Sequence, residues 1–218
     1  MIETVAVLIP TKGRAEQLKR NVQTLLECDV PNGVELVIAL AVLEADTETV
    51  AVARELKADD RVGWICRTPD STAVQGWNQA KGYTAWADWF VLGADDIVFH
   101  PAWLKEAMIV IAQTGARVIG LNDGHTDLND YAPHYMVHHT FLQTYQGGHI
   151  VPPEYKSWWF DREICQRARD LGLYAPAWQA LAEHHHPDWG TAEMDATYTD
   201  AWALHDIDRE TYRARMGI

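Results

Sequence analysis

Three short segments of this 218-residue chain gather residue types that can do chemistry. Asp95 and Asp96 directly follow the apolar run Trp89-Phe90-Val91-Leu92, so a strand ending there delivers two carboxylates to its carboxyl end. Hard oxygen ligands in that position suit Mg²⁺ or Mn²⁺, and such an ion can neutralise a diphosphate. Glu183-His184-His185-His186-Pro187-Asp188 places three imidazoles in a row. In an extended segment His184 and His186 face one side, and neutral imidazole binds Mn²⁺, Fe²⁺ or Zn²⁺. Ser157-Trp158-Trp159-Phe160-Asp161-Arg162-Glu163 runs an aromatic stretch into a helix that begins near Asp161. A carboxylate there, beside aromatic walls, suits a general base acting on a hydroxyl, and the indoles of Trp158 and Trp159 suit the apolar face of a sugar. Each segment has a plainer reading beside this one: an Asp-initiated turn, a solvated His loop, an N-cap at Asp161.

Composition limits the partners. Ten Trp, ten His, and 31 Asp+Glu against 18 Lys+Arg give a net charge of −13. That field repels phosphate backbones, so DNA and anionic membrane surfaces are disfavoured, and an anionic ligand needs local help such as a metal ion. Cys28, Cys66 and Cys165 lie far apart with no CxxC pair, which points to neither a disulfide framework nor a thiolate zinc site. The first residues lack a basic start and apolar stretch, and no apolar run reaches the ~18 residues of a membrane span. A cytoplasmic protein is expected. Walker A, GxGxxG and GxSxG patterns are missing, and with them the commonest nucleotide, dinucleotide and esterase readings.

The elements that must position these residues alternate along the first two-thirds of the chain. Apolar runs at Val5–Ile9, Leu36–Leu40, Val62–Cys66, Trp89–Leu92 and Val118–Leu121 read as strands. Between them lie helical patterns: Leu18, Val22 and Leu25; Val50, Ala53 and Leu56 after a cap at Asp46 or Thr47; Trp77 to Ala85 after a cap at Ser71; and Leu104, Met108 and Ile111 ending at Gly115. This order predicts an α/β fold with a mostly parallel, Rossmann-like sheet flanked by helices, its ligands at the carboxyl ends of the strands. The last third departs from it: His134–Tyr145 reads as a strand, Asp161–Asp170 as a helix, and Met194 onward as helical.

Taken together, these segments resemble a family 2-type glycosyltransferase of the GT-A (nucleotide-diphospho-sugar transferase) fold over nearly the whole chain. Val7-Leu-Ile-Pro10-Thr11-Lys-Gly-Arg14 resembles the family's first strand and donor loop, and Gln75-Gly-Trp-Asn78-Gln-Ala-Lys-Gly82 its Asn- and Gly-containing helix. Leu92-Gly-Ala-Asp95-Asp96 with Pro101-Ala-Trp103-Leu104 is similar to the DxD motif and the helix behind it. Asp161-Arg-Glu163 resembles the acidic pair holding the acceptor base, and His184–His186 sits where many members carry a metal-binding His.

The resemblance implies one domain over 1–218, with a nucleotide-sugar half at about 1–122 and an acceptor-binding, metal-completing half at about 123–218. It implies transfer of a sugar from a nucleoside-diphosphate sugar, UDP-sugars favoured, to a glycan, small-molecule or protein hydroxyl, with inversion and a carboxylate base. The residues it marks are Asp161 and Glu163 for catalysis, and Pro10, Thr11, Arg14, Asn78 and Asp95 for the donor, joined by Glu44 or Asp46. Asp95, Asp96, His184 and His186 would hold Mn²⁺ or Mg²⁺, and Trp158 and Trp159 the acceptor. Two departures stand out. Glu44 and Asp46 replace the usual acidic cluster after the second strand, and Gly93 occupies the place of a DxD's first Asp if Asp95 is its second. Which of Asp95 and Asp96 meets the metal stays open. The other readings are a sugar nucleotidyltransferase, poorly matched by Pro10–Arg14, and a non-catalytic carbohydrate- or nucleotide-binding module.

Overall fold

A computed structural model describes residues 2–68 and 71–218. The chain runs β1 (Glu3–Thr11), α1 (Ala15–Leu26), β2 (Val34–Leu43), α2 (Thr47–Leu56), β3 (Val62–Arg67), α3 (Ala73–Tyr83), β4 (Trp89–Leu92) and β5 (Ile97–Phe99). It continues through α4 (Trp103–Thr114), β6 (Val118–Asn122), β7 (Tyr135–His138), α5 (His139–Tyr145), α6 (Phe160–Asp170) and β8 (Tyr174–His184) to α7 (Ala196–Trp202) and α8 (His205–Met216). The eight strands form one sheet in the order β3-β2-β1-β4-β7-β6-β8-β5.

The sheet is covered on both faces, and β1 shows how. Its residues are buried from Thr4 to Thr11. Val5, Val7 and Ile9 join a core cluster with Leu18, Val22 and Leu25 of α1 and Trp103 and Leu104 of α4. The alternate residues Ala6 and Leu8 join a second cluster with Val74 and Trp77 of α3 and Phe160 and Ile164 of α6. A strand buried on both faces must be apolar throughout, which is why it reads as an unbroken run. Because β1 pairs in parallel with β2 on one side and β4 on the other, the chain reverses its winding there. A crevice opens at that point beyond the carboxyl ends of the strands.

The structure departs from the expected pattern in the last two-thirds. The sheet is mostly parallel, as expected, but it includes antiparallel pairs: β7 runs antiparallel to both β4 and β6, and β5 antiparallel to β8. His134–Tyr145 is not one strand, because His138 ends β7 and its side chain accepts the Thr140 N–H to start α5. Thr72, not Ser71, caps α3, in a reciprocal pairing with Gln75. Tyr174–His184 forms an eleven-residue strand that the sequence conceals. Its register against β6 slips after Leu121, where Trp178, Gln179 and Ala180 lie between the paired residues Ala177 and Leu181, so the period-two alternation is broken. Among the described residues, no helix is long and apolar enough to cross a membrane.

Candidate active site

The acidic pair sits at the floor of the crevice. Gly93 explains why it reads Gly-Ala-Asp-Asp: a Cβ at this position would lie 2.9 Å from Val7 Cγ1 and 3.1 Å from the Leu8 carbonyl, so no side chain fits. Trp77 Nε1 donates to the Gly93 carbonyl at 2.7 Å and fixes the turn from β4. Asp95 and Asp96 follow, both buried.

Arg14 spans the two carboxylates. Its Nη1 donates to Asp95 Oδ1 at 3.1 Å and Asp96 Oδ2 at 3.2 Å, while Nε and Nη2 donate to the two oxygens of Asp195 at 2.8 and 3.0 Å. All three guanidinium nitrogens are therefore engaged, and the Tyr198 ring lies 3.9 Å beneath the guanidinium carbon. Tyr198 Oη donates to Asp96 Oδ2 at 2.9 Å. The remaining oxygen, Asp96 Oδ1, is buried without a hydrogen bond, and the imidazole Nε2 of His184 lies 3.5 Å from it.

This asymmetry separates the two acids. Burial and the negative Asp96 push Asp95 up to about 6 despite Arg14. Burial also opposes the charge on Asp96, but His184 and Arg14 overcome it and hold that group below the usual carboxylate range. His184 is raised in turn by Asp96 against the effect of its burial. Burial and the neighbouring His184 lower His134 to about 4. The neutral His134 ring bonds the Leu92 carbonyl through Nδ1 at 3.1 Å, and its Nε2 is buried without a partner.

Two cavities meet here. The first, about 300 Å³, is lined by Pro10, Thr11, Arg14, Arg67, Asp95, Asp96 and Trp77, and by Thr197, Tyr198 and Asp200 of α7. The second, about 330 Å³, is lined by Tyr131, Trp159, Trp189, Trp202 and Arg162. Pro133, Trp158, Asp161, His184 and His186 line both. Asp161 lies in the first turn of α6, after the helix is entered at Trp159, so it is not the N-cap. It accepts only from the Arg162 N–H, at 2.8 Å, and burial pushes it up to about 6.

The structure thus brings together Pro10, Thr11, Arg14, Asp95, Asp96, Trp158, Asp161, His184 and His186, with Trp159 on the second cavity alone. Four other sequence candidates lie outside both linings. Glu44 is solvent-exposed. Asp46 caps α2 through Thr49 and accepts the Gly13 N–H at 2.6 Å, which shapes the loop after β1. Asn78 ties α3 to Ile150 and Val151 by backbone contacts. Glu163 accepts from Tyr155, Arg167 and Arg215. Sequence reading missed Arg67, His134, Asp195 and Tyr198. Arg67 had a signal, a cation closing an apolar strand; its guanidinium bonds the carbonyls of Thr11 and Thr72, and burial lowers it to about 10.

A profile of the family described as "Glycosyltransferase like family 2" matches residues 3–214. The chain belongs to this family. Among solved structures, the chain is similar to the mannosyltransferase PcManGT from Pyrobaculum calidifontis in complex with GDP-Man and Mn²⁺. That match has a TM-score of 0.64 and 11% identity, and covers 83% of this chain and 56% of the other. It is also similar to S. aureus TarS 1–349 in complex with UDP-GlcNAc, with a TM-score of 0.65 and 12% identity, over 88% of this chain and 62% of that one. The chain therefore spans little more than half the length of these structures, and the likeness establishes a GT-A fold. No curated protein matches it in sequence.

An ion is the group such a fold implies. Among the described residues no three His, Cys, Asp or Glu side chains gather around a common point. The orphaned Asp96 Oδ1 beside His184 nonetheless fits a divalent cation, one hard and one imidazole donor, with further ligands left to a bound phosphate or water.

Proposed function

We propose that this protein transfers a sugar from a nucleoside-diphosphate sugar to an acceptor hydroxyl, with inversion at the anomeric carbon and Asp161 as base. The observation that carries this reading is the shared wall: Asp161 stands where the two cavities join, with the acidic pair in the first and aromatic side chains around the second. The first half of the chain takes the donor and the second half takes the acceptor. The donor lies against Pro10, Thr11 and Arg67, with its diphosphate toward Asp95 and Asp96. UDP-sugars are the first candidates, and the GDP-Man complex of PcManGT makes guanosine donors the second.

Asp96 and His184 would hold Mn²⁺ or Mg²⁺, with His186 close by; when bound, the ion offsets the charge that develops on the departing diphosphate. The chain's own residues do the rest. Asp161, ionised above about pH 6, accepts the acceptor's hydroxyl proton. The hydroxyl oxygen forms its bond to the anomeric carbon as the bond from that carbon to the diphosphate oxygen breaks, and the electron pair leaves on the diphosphate. Arg14 keeps Asp95 and Asp96 in place from below, and α7 covers the donor through Tyr198 and Thr197. Glu163 works at a distance, by tying α6 to α8.

Incubation with a panel of UDP- and GDP-sugars, with and without Mn²⁺, tests the reading through release of the nucleoside diphosphate. Metal-stimulated release from at least one donor is expected. Release from none, by a protein shown to be folded, would contradict it.

A further inference from the structure

The second cavity has a composition that the donor does not require. Trp158, Trp159, Trp189 and Trp202 line it together with Tyr131. Trp189 and Trp202 are 44% and 40% exposed, an unfavourable use of two large indoles unless a ligand covers them. They are held in place: Trp189 stacks on His125 at 4.9 Å with 13° between planes, and Trp202 lies 5.0 Å from Trp158.

The turn that supplies this wall is strained by design. Trp159 is the one non-glycine residue with positive φ among the described residues, at 70°. Such a conformation persists only where its surroundings over-determine it. Here the buried Asp208 of α8 does so, accepting the N–H groups of Lys156, Ser157 and Trp158 at 2.7–3.1 Å. Trp158 Nε1 adds a bond to the Ala201 carbonyl at 2.7 Å.

Charge narrows the occupant. Arg162 is the sole Lys or Arg among the lining residues described, and it is already committed: Nη1 donates to Asp130 at 3.0 Å and the guanidinium lies 3.8 Å over the Tyr131 ring. Asp161 and Asp188 put carboxylates on the same surface. A phosphorylated acceptor would meet these carboxylates and the imidazoles of His184, His186 and His205, with the one guanidinium already paired to Asp130. A saccharide ring instead offers an apolar C–H face to the indoles and hydroxyls to the carboxylates.

We propose that this cavity is the acceptor subsite and that its ligand is an uncharged saccharide stacked on Trp189 and Trp202. The proposal rests on the glycosyltransferase reading above, because it assigns the partner of the donor cavity. The test is tryptophan fluorescence and saturation-transfer NMR in the presence of UDP or GDP and Mn²⁺. The probes are maltotriose, cellotriose, chitotriose and mannotriose, set against glucose 6-phosphate, a polyprenyl phosphate and a phenolic glucoside. Saturable binding of at least one neutral trisaccharide is expected, weakened at least tenfold in Trp189→Ala and Trp202→Ala with nucleotide affinity unchanged.

Neither indole is in the buried core, so both variants should keep the fold, as far-UV circular dichroism would verify. Binding of the phosphorylated probes alone, recognition only of the phenolic ring, no trisaccharide binding, or trisaccharide binding indifferent to both substitutions would overturn the proposal. If nucleoside diphosphate still binds in those cases, the donor reading survives; if it does not, that reading fails first.

Discussion

Asp96 and Asp161 are both aspartates that face the same crevice, yet their surroundings push them in opposite directions. Asp96 has His184 and Arg14 to hold its charge, whereas Asp161 has burial and one backbone N–H. A permanently ionised acid suits cation binding, and one titrating near 6 suits proton transfer. Transfer should therefore rise about tenfold per pH unit below about 6 and level off above it. Asp161→Asn should lower transfer by about 10²–10⁴-fold while donor affinity stays intact.

The same substitution makes a stability prediction of known sign. The folded acid is raised above its unfolded value of 3.8, so the native state holds a proton that the unfolded chain has lost, and stability drains away as pH climbs toward 6. The Asn variant escapes this loss, and its melting temperature should gain on the parent's between pH 4 and pH 7. A constant gap across that range would show that Asp161 is not raised. Asp96→Asn, in contrast, should abolish the part of nucleoside-diphosphate stabilisation that depends on Mn²⁺.

At the scale of elements, α8 is the piece whose importance the chain hides best. Asp208 lies in a polar, C-terminal helix, yet it is fully buried and holds the turn that bears Trp158 and Trp159. Asp208→Ala would strand three backbone N–H groups at a cost of about 1–3 kcal/mol each if water does not reach them. The expected result is a lower urea midpoint together with an acceptor KM raised more than the donor KM. Equal changes in both would mean that Asp208 supports the fold alone. Glu163→Gln weakens a tie between α6 and α8 formed with Arg167 and Arg215, so it should lower stability and leave the pH profile of the folded enzyme in place.

These cases also show which parts of the molecule were legible beforehand. β1, β4 and β6 carry unbroken apolar runs because both sheet faces are covered, and the acidic pair follows β4 directly. β8 was not readable, since its slipped register breaks the alternation that reveals strands. Asp195, Tyr198 and Asp208 were not readable either. Their roles arise from contacts 50 to 181 residues away along the chain, and no local spacing records those.

Over the whole molecule, the charge of −13 looks ill-suited to a diphosphate ligand. The cleft resolves this locally, because the acidic pair is partly neutralised by Arg14 and the first cavity adds Arg67 and Lys12 to its walls. What remains is an acidic surface that keeps other polyanions away and a floor whose free oxygen invites a cation. Metal and nucleotide should then bind together, each strengthening the other. The most direct test is a thermal-shift panel of UDP, GDP and their sugars with and without Mn²⁺. At a hundredfold excess over Kd, at least one nucleotide should raise Tm by about 5–10 °C with Mn²⁺ present and by clearly less without it. No metal-linked rise with any of them would contradict the account.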